Sequence, residues 1–135
     1  MTERRVLLVE DDPDDLDLTL FAFKQCRFPY PADVARDGAQ ALERLAAATV
    51  LPALVLLDIN LPKVNGLEVL ARLRADPRLK HLLVVMLSGS DEPKDKQEAA
   101  RLGAARFFNK PVGLEGYVAI VKSLEGLLSP QDAAR

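Results

Sequence analysis

Apolar residues along this chain follow two rhythms. Arg5-Val6-Leu7-Leu8-Val9 is a short, continuous run rich in apolar side chains and closed by acids, the pattern of a strand buried on both faces. Ala53-Leu54-Val55-Leu56-Leu57 and Leu82-Leu83-Val84-Val85-Met86-Leu87 repeat it, and residues 33–36 and 105–108 form weaker versions. Between these runs the apolar positions recur every three or four residues, as on one face of a helix: Leu16, Leu20 and Phe23; Ala41, Leu42 and Leu45; Leu67, Leu70 and Leu73; Ala99 and Leu102; then Leu114, Tyr117, Val118, Val121 and Leu124. Pro13 suits the opening of the first helix, where Asp12, Asp14, Asp15 and Asp17 read as complements to the helix dipole. Gly38 and Gly66 precede the second and third helices. Ser90 or Asp91 is expected to cap the fourth, and Gly103 to end it as the residue just past its C-cap.

Strands alternating with helices of this length imply right-handed crossovers and a parallel sheet covered on both faces. The 135 residues suffice for one such α/β domain, and 49% apolar with 28% charged residues supply both its core and its surface. The folded unit is expected over residues 1–128, leaving 129–135 as a short polar tail too small for a second domain. Eighteen basic against 20 acidic residues give a net charge of −2, so no field gathers a polyanion and nucleic-acid binding is not expected. Cys26 has no second cysteine to pair with, and no apolar run approaches membrane-spanning length. The opening residues lack the pattern of a secretory signal, and a cytoplasmic protein is expected.

In open α/β sheets, ligands bind outside the carboxyl ends of the strands. The residues that close the apolar runs are therefore the informative ones: Glu10-Asp11-Asp12, Asp58-Ile59-Asn60, Ser88-Gly89-Ser90 and Asn109-Lys110-Pro111. Singly, each has an ordinary reading as a turn residue, a helix-dipole complement or a surface charge. Together they bring acids, a hydroxyl and a lysine to one end of one sheet. Glu10, Asp11 and Asp58 form an oxygen-rich set suited to a hard cation such as Mg²⁺, and Lys110 with that cation would balance their charge and keep Asp58 ionised as a nucleophile.

The pieces Val9-Glu10-Asp11-Asp12-Pro13, Leu57-Asp58-Ile59-Asn60-Leu61-Pro62 with Asn65-Gly66, Met86-Leu87-Ser88-Gly89 and Asn109-Lys110-Pro111 resemble, in order and spacing, the receiver domain of two-component response regulators. The resemblance implies a flavodoxin-like (βα)5 fold, doubly wound, with strand order 2-1-3-4-5. It makes Asp58 the phosphoacceptor for a histidine kinase and Asp11 a direct Mg²⁺ ligand, with Glu10 beside it and Asn60 contributing its backbone carbonyl. Ser88 and Lys110 would each bond a phosphoryl oxygen. Ser88 and the fifth-strand aromatic, Phe107 in place of the commoner Tyr, would form the switch, and Lys110–Pro111 would be a cis peptide.

A narrower resemblance rests on Cys26-Arg27-Phe28-Pro29-Tyr30-Pro31, Val34-Ala35-Arg36-Asp37-Gly38 and Arg74-Ala75-Asp76-Pro77-Arg78-Leu79-Lys80, with Leu102-Gly103-Ala104-Ala105 and Lys110-Pro111-Val112. These look like stand-alone receivers paired with bacterial and cyanobacterial phytochrome kinases. That implies a phytochrome-type histidine kinase as partner, a downstream protein or phosphorelay partner, and a homodimer through the fourth helix, fifth strand and fifth helix. Ile120, Leu127 and Leu128 add apolar surface to the last helix, in keeping with a dimer. Of the rival classes, an aspartyl-phosphate phosphatase would want an acid where Asn60 stands, and a flavin or nucleotide module would want a glycine-rich loop where three acids stand. A phosphate-independent interaction scaffold is the alternative. No turnover of an external substrate is expected, only self-catalysed phosphorylation and dephosphorylation.

Overall fold

The computed structural model describes residues 4–128. Ten elements alternate: β1 (Val6–Val9), α1 (Pro13–Gln25), β2 (Ala32–Ala35), α2 (Gly38–Ala47), β3 (Leu54–Asp58), α3 (Gly66–Ala75), β4 (Val84–Ser88), α4 (Pro93–Arg101), β5 (Arg106–Asn109) and α5 (Leu114–Leu127). The strands pair in parallel in the order β2-β1-β3-β4-β5, so the path reverses at β1 and β3. The crevice of such a sheet opens at that reversal.

The two-residue period of the strands sorts the core into two layers. Val6 and Leu8, Leu54 and Leu56, and Val85 and Leu87 pack under Leu16 and Phe23 of α1 and Tyr117, Val121 and Leu124 of α5. Their neighbours Leu7 and Val9, Val55 and Leu57, and Val84 and Met86 pack against α2, α3 and Ala99 of α4. Every residue of β1, β3 and β4 is buried, which is why these strands read as unbroken apolar runs. β2 and β5, at the sheet edges, are less buried and read more weakly. Asp12 caps α1, accepting from the Asp14 and Asp15 N–H groups, and Pro13 stands at the first helical position. Gly103, φ +76°, follows the C-cap of α4 as expected.

Several expectations need correction. Leu20 is 36% exposed, and Thr19 takes its inward place with its hydroxyl bonded to the Asp15 carbonyl. Neither Ser90 nor Asp91 caps α4: Pro93 sets the first turn later, Glu92 is the N-cap without a side-chain bond, and Asp91 pairs with Lys96 instead. β4 begins at Val84, because Leu82 is still in a turn bonded to the Leu79 carbonyl. Ile120 and Leu128 are buried against the core under α1 and α5, with Leu127 half-buried beside them, so the chain's own core absorbs the apolar surface that seemed spare on the last helix. The Lys110–Pro111 bond is trans, the form an X–Pro bond favours by about 0.5–1 kcal/mol. The polar tail 129–135 lies outside the described residues.

The start of α3 is held against the end of β3 by closeness that only glycine permits. A Cβ on Gly66 would stand 2.1 Å from the Asp58 carbonyl oxygen and 2.7 Å from Ile59 Cα, both backbone atoms. Gly66→Ala is therefore expected to destabilise the protein by about 2–3 kcal/mol in urea unfolding. Gly126→Ala, inside α5 where a Cβ meets nothing within 4 Å, is expected to leave stability unchanged or raise it by about 0.5–1 kcal/mol.

Candidate functional site

Strand register delivers the polar residues to one cleft. Asp58 and Ser88 are the last residues of β3 and β4, while Glu10 and Lys110 follow β1 and β5 directly. The ladder continues through them: Glu10 N donates to the Ala35 carbonyl at 3.0 Å, and Lys110 N donates to the Ser88 carbonyl at 2.8 Å. The backbone beneath the site is thus as fixed as the sheet.

The Lys110 ammonium is the centre of the cleft. It donates to Asp58 Oδ2 at 2.8 Å, Asp15 Oδ2 at 2.9 Å and Glu10 Oε2 at 3.1 Å. Asp58 is 1% exposed and its second oxygen, Oδ1, accepts from the Asn60 N–H at 3.1 Å. Glu10, also buried, accepts from the Asp12 N–H, and both of its oxygens stand 3.1 Å from the Lys110 ammonium. Burial first, and the neighbouring Asp58 second, push the Glu10 carboxyl up to about 7. Burial works against the charged Lys110, but Asp58, Asp15 and Glu10 outweigh it and hold the amine well above its usual range.

Glu10, Asp11 and Asp58 each present a carboxylate oxygen, all within 4.8 Å of one another. An all-oxygen set of this kind fits a hard divalent cation. Asp15 is the residue that the sequence reading missed. In the sequence it reads as a helix-dipole complement, but as the third residue of α1 its side chain points back over the strand ends. Four carboxyls then face one ammonium, and with Glu10 ionised three negative charges are left uncompensated, so one divalent cation reduces the excess without cancelling it.

The switch candidates lie beside this cleft. The buried Ser88 hydroxyl donates to the Ser90 carbonyl at 2.9 Å and accepts from the Ser90 N–H at 3.0 Å, folding the loop after β4 onto itself. Asp91 receives Lys96 at 2.6 Å and the Asn109 amide at 3.3 Å, which ties that loop to α4 and β5. Phe107 is half-buried, with Lys96 Nζ 5.8 Å from its ring centroid.

Residues 6–122 match the family model described as the response regulator receiver domain. Among solved structures, the bacteriophytochrome response regulator AtBRR is 40% identical, with 93% of this chain and 94% of that one covered and a TM-score of 0.77. The phosphorylated cyanobacterial phytochrome response regulator RcpA is 34% identical over 94% of both chains, with a TM-score of 0.85. The "Probable cyclic di-GMP phosphodiesterase" of Vibrio cholerae is 34% identical over 114 residues, 84% of this chain, which spans only 25% of that protein's length. No helix among the described residues is long and apolar enough to cross a membrane.

A carboxyl that ionises at 4.5 when unfolded and at about 7 when folded makes folding take up a proton between those values. Its contribution therefore falls as pH rises from about 4.5 to 7 and stays low above. Glu10→Gln is expected to raise stability at pH 8 in chelator by about 2 kcal/mol, and to change it little at pH 4, as urea unfolding will show.

Proposed function

The chain belongs to the response regulator receiver family, and from that premise we propose that it is a phosphoacceptor in two-component signalling, with Asp58 taking a phosphoryl group from a histidine kinase. One observation carries the reading: a carboxylate 1% exposed at the end of β3 is bonded to Lys110 at 2.8 Å, within reach of two further acids. A structural aspartate would want no such acidic company, because three carboxylates in one cleft oppose each other's ionisation.

In this reading an Asp58 carboxylate oxygen forms the new O–P bond as the P–N bond to the kinase's imidazole breaks, the ring nitrogen leaving with the electron pair. Lys110 exchanges its bond to Asp58 for one to a phosphoryl oxygen. The Ser88 hydroxyl leaves the Ser90 carbonyl and donates to another, which releases the loop after β4. Glu10, Asp11, Asp58 and the Asn60 carbonyl would hold Mg²⁺, which supplies charge neutralisation to the phosphoryl group when bound. Positioning and charge are most of what phosphoryl transfer requires of a protein.

The output is a changed surface on α4, β5 and α5. Within it α5 is anchored in the core, whereas α4 buries only Ala99 and β5 is an edge strand whose end residues are exposed. Movement of Ser88 would pull on the loop that Asp91 ties to Lys96 and Asn109, and so on the Lys96 cation over Phe107. Phe107, lacking a hydroxyl, would signal by position alone. We assign a kinase of the phytochrome type as the phosphoryl donor, on the strength of the 40% identity to AtBRR. The altered face would take a downstream protein or phosphorelay partner, or a second copy of the chain.

Intact mass after incubation with acetyl phosphate tests the reading. Wild type is expected to gain a single phosphoryl group with Mg²⁺ and none in chelator, and Asp58→Asn to gain none. Light scattering of the same samples is expected to show a doubled mass only in the modified protein. No adduct in wild type, together with no beryllofluoride binding, would leave a phosphate-independent scaffold as the reading.

A further inference from the structure

Resting on the phosphoacceptor reading above, we infer that Asp15 is a positioning residue that anchors the Lys110 ammonium when Glu10 and Asp58 are occupied. An ammonium has three N–H donors, and those of Lys110 are matched by three carboxylates, on β3, on α1 and just after β1: Asp58 at 2.8 Å, Asp15 at 2.9 Å and Glu10 at 3.1 Å. In the transfer step two of these acceptors are claimed, Glu10 by the cation and Asp58 by phosphorus. A lysine held only by them would have to find the incoming phosphoryl oxygen with no partner left to hold it in place. Its flexible four-carbon stem would then carry the charge into solvent.

Asp15 stands apart from that competition. It lies outside the group of acids whose oxygens fall within 4.8 Å of one another, and its oxygen is engaged by Lys110 at 2.9 Å. It is also well fixed. Its N–H is accepted by Asp12 at 3.3 Å, its carbonyl accepts the Thr19 hydroxyl at 2.8 Å, and its side chain is 24% exposed. The Tyr117 hydroxyl of α5 adds an independent sign. It is buried without a hydrogen bond, and burial first and the Asp15 carboxylate second oppose its ionisation, which places that carboxylate close to the interior. An acid that merely complemented a helix dipole would sit in solvent beside its own N-terminus, without engaging a lysine of the β5–α5 loop.

A double-mutant cycle read by calorimetry tests the assignment, with Mg²⁺ and beryllofluoride as the probe on wild type, Asp15→Asn, Lys110→Ala and the double variant. Asp15→Asn is expected to weaken beryllofluoride binding about tenfold, and to weaken it no further once Lys110 is gone. An unchanged affinity in Asp15→Asn, or an equal loss in both backgrounds, would overturn the inference, since a dipole or general charge effect does not depend on Lys110. Wild type failing to bind beryllofluoride would overturn the phosphoacceptor reading itself, a result distinct from failure of the Asp15 variant alone. If Asn lowers the melting temperature, Asp15→Ser repeats the cycle. If Lys110→Ala binds too weakly to measure, amine labelling of Lys110 in the beryllofluoride-bound protein decides: faster labelling in Asp15→Asn supports the anchor, and equal labelling overturns it.

Discussion

Lys110 carries one positive charge into a cleft that holds four carboxylates, and most of the molecule is arranged around that imbalance. The ammonium reaches Glu10 after β1, Asp58 at the end of β3 and Asp15 on α1, from a loop that follows β5. These residues are 100, 52 and 95 positions from Lys110 along the chain. Only a sheet that sets β1, β3, β4 and β5 in register can bring them together, and the ladder bonds at Glu10, Ile59 and Lys110 continue that register into the site. Breaking such a group by removing the cation leaves buried carboxylates unpaired, the costly direction for any buried ion pair.

The same imbalance makes the site responsive. A buried Glu10 pushed up to about 7 beside Asp58 is a group that a second cation would stabilise in its ionised form. Adding a dianionic phosphoryl group to Asp58 would shift the balance again, and the nearest groups able to answer are Lys110 and the Ser88 hydroxyl. Ser88 is engaged by its own loop, and that loop is tied through Asp91 to Lys96 and Asn109. A local charge event thus has a mechanical route to α4, which buries only Ala99, and to the edge strand β5. The rigid part of the fold holds the chemistry, and the loosely packed part reports it.

The three central strands were legible because burial on both faces leaves unbroken apolar runs, and the site residues because each closes such a run. β2 and β5 read weakly for the complementary reason, exposure at the edges. What the sequence concealed were choices made in three dimensions. Asp15 looked like its neighbours Asp14 and Asp17, since nothing local says which acid of a first turn will face a lysine 95 residues away. Ile120 and Leu128 looked spare because a helix wrapped by core on more than one side has no single apolar stripe. Ser90 and Asp91 looked like caps because the composition of a capping position was there, and Pro93 moved the helix start past them.

The central claim is that the Lys110 ammonium holds the carboxylate cluster together until a cation and a phosphoryl group take over part of its role. Thermal unfolding of wild type and Lys110→Met, followed across Mg²⁺ concentrations at pH 8, tests it most directly. In chelator the variant is predicted to melt roughly 5–8 °C below wild type, corresponding to about 2 kcal/mol, and Mg²⁺ is predicted to raise its melting temperature more than it raises that of wild type. Equal melting temperatures in chelator, with the same response to Mg²⁺ in both proteins, would contradict the account.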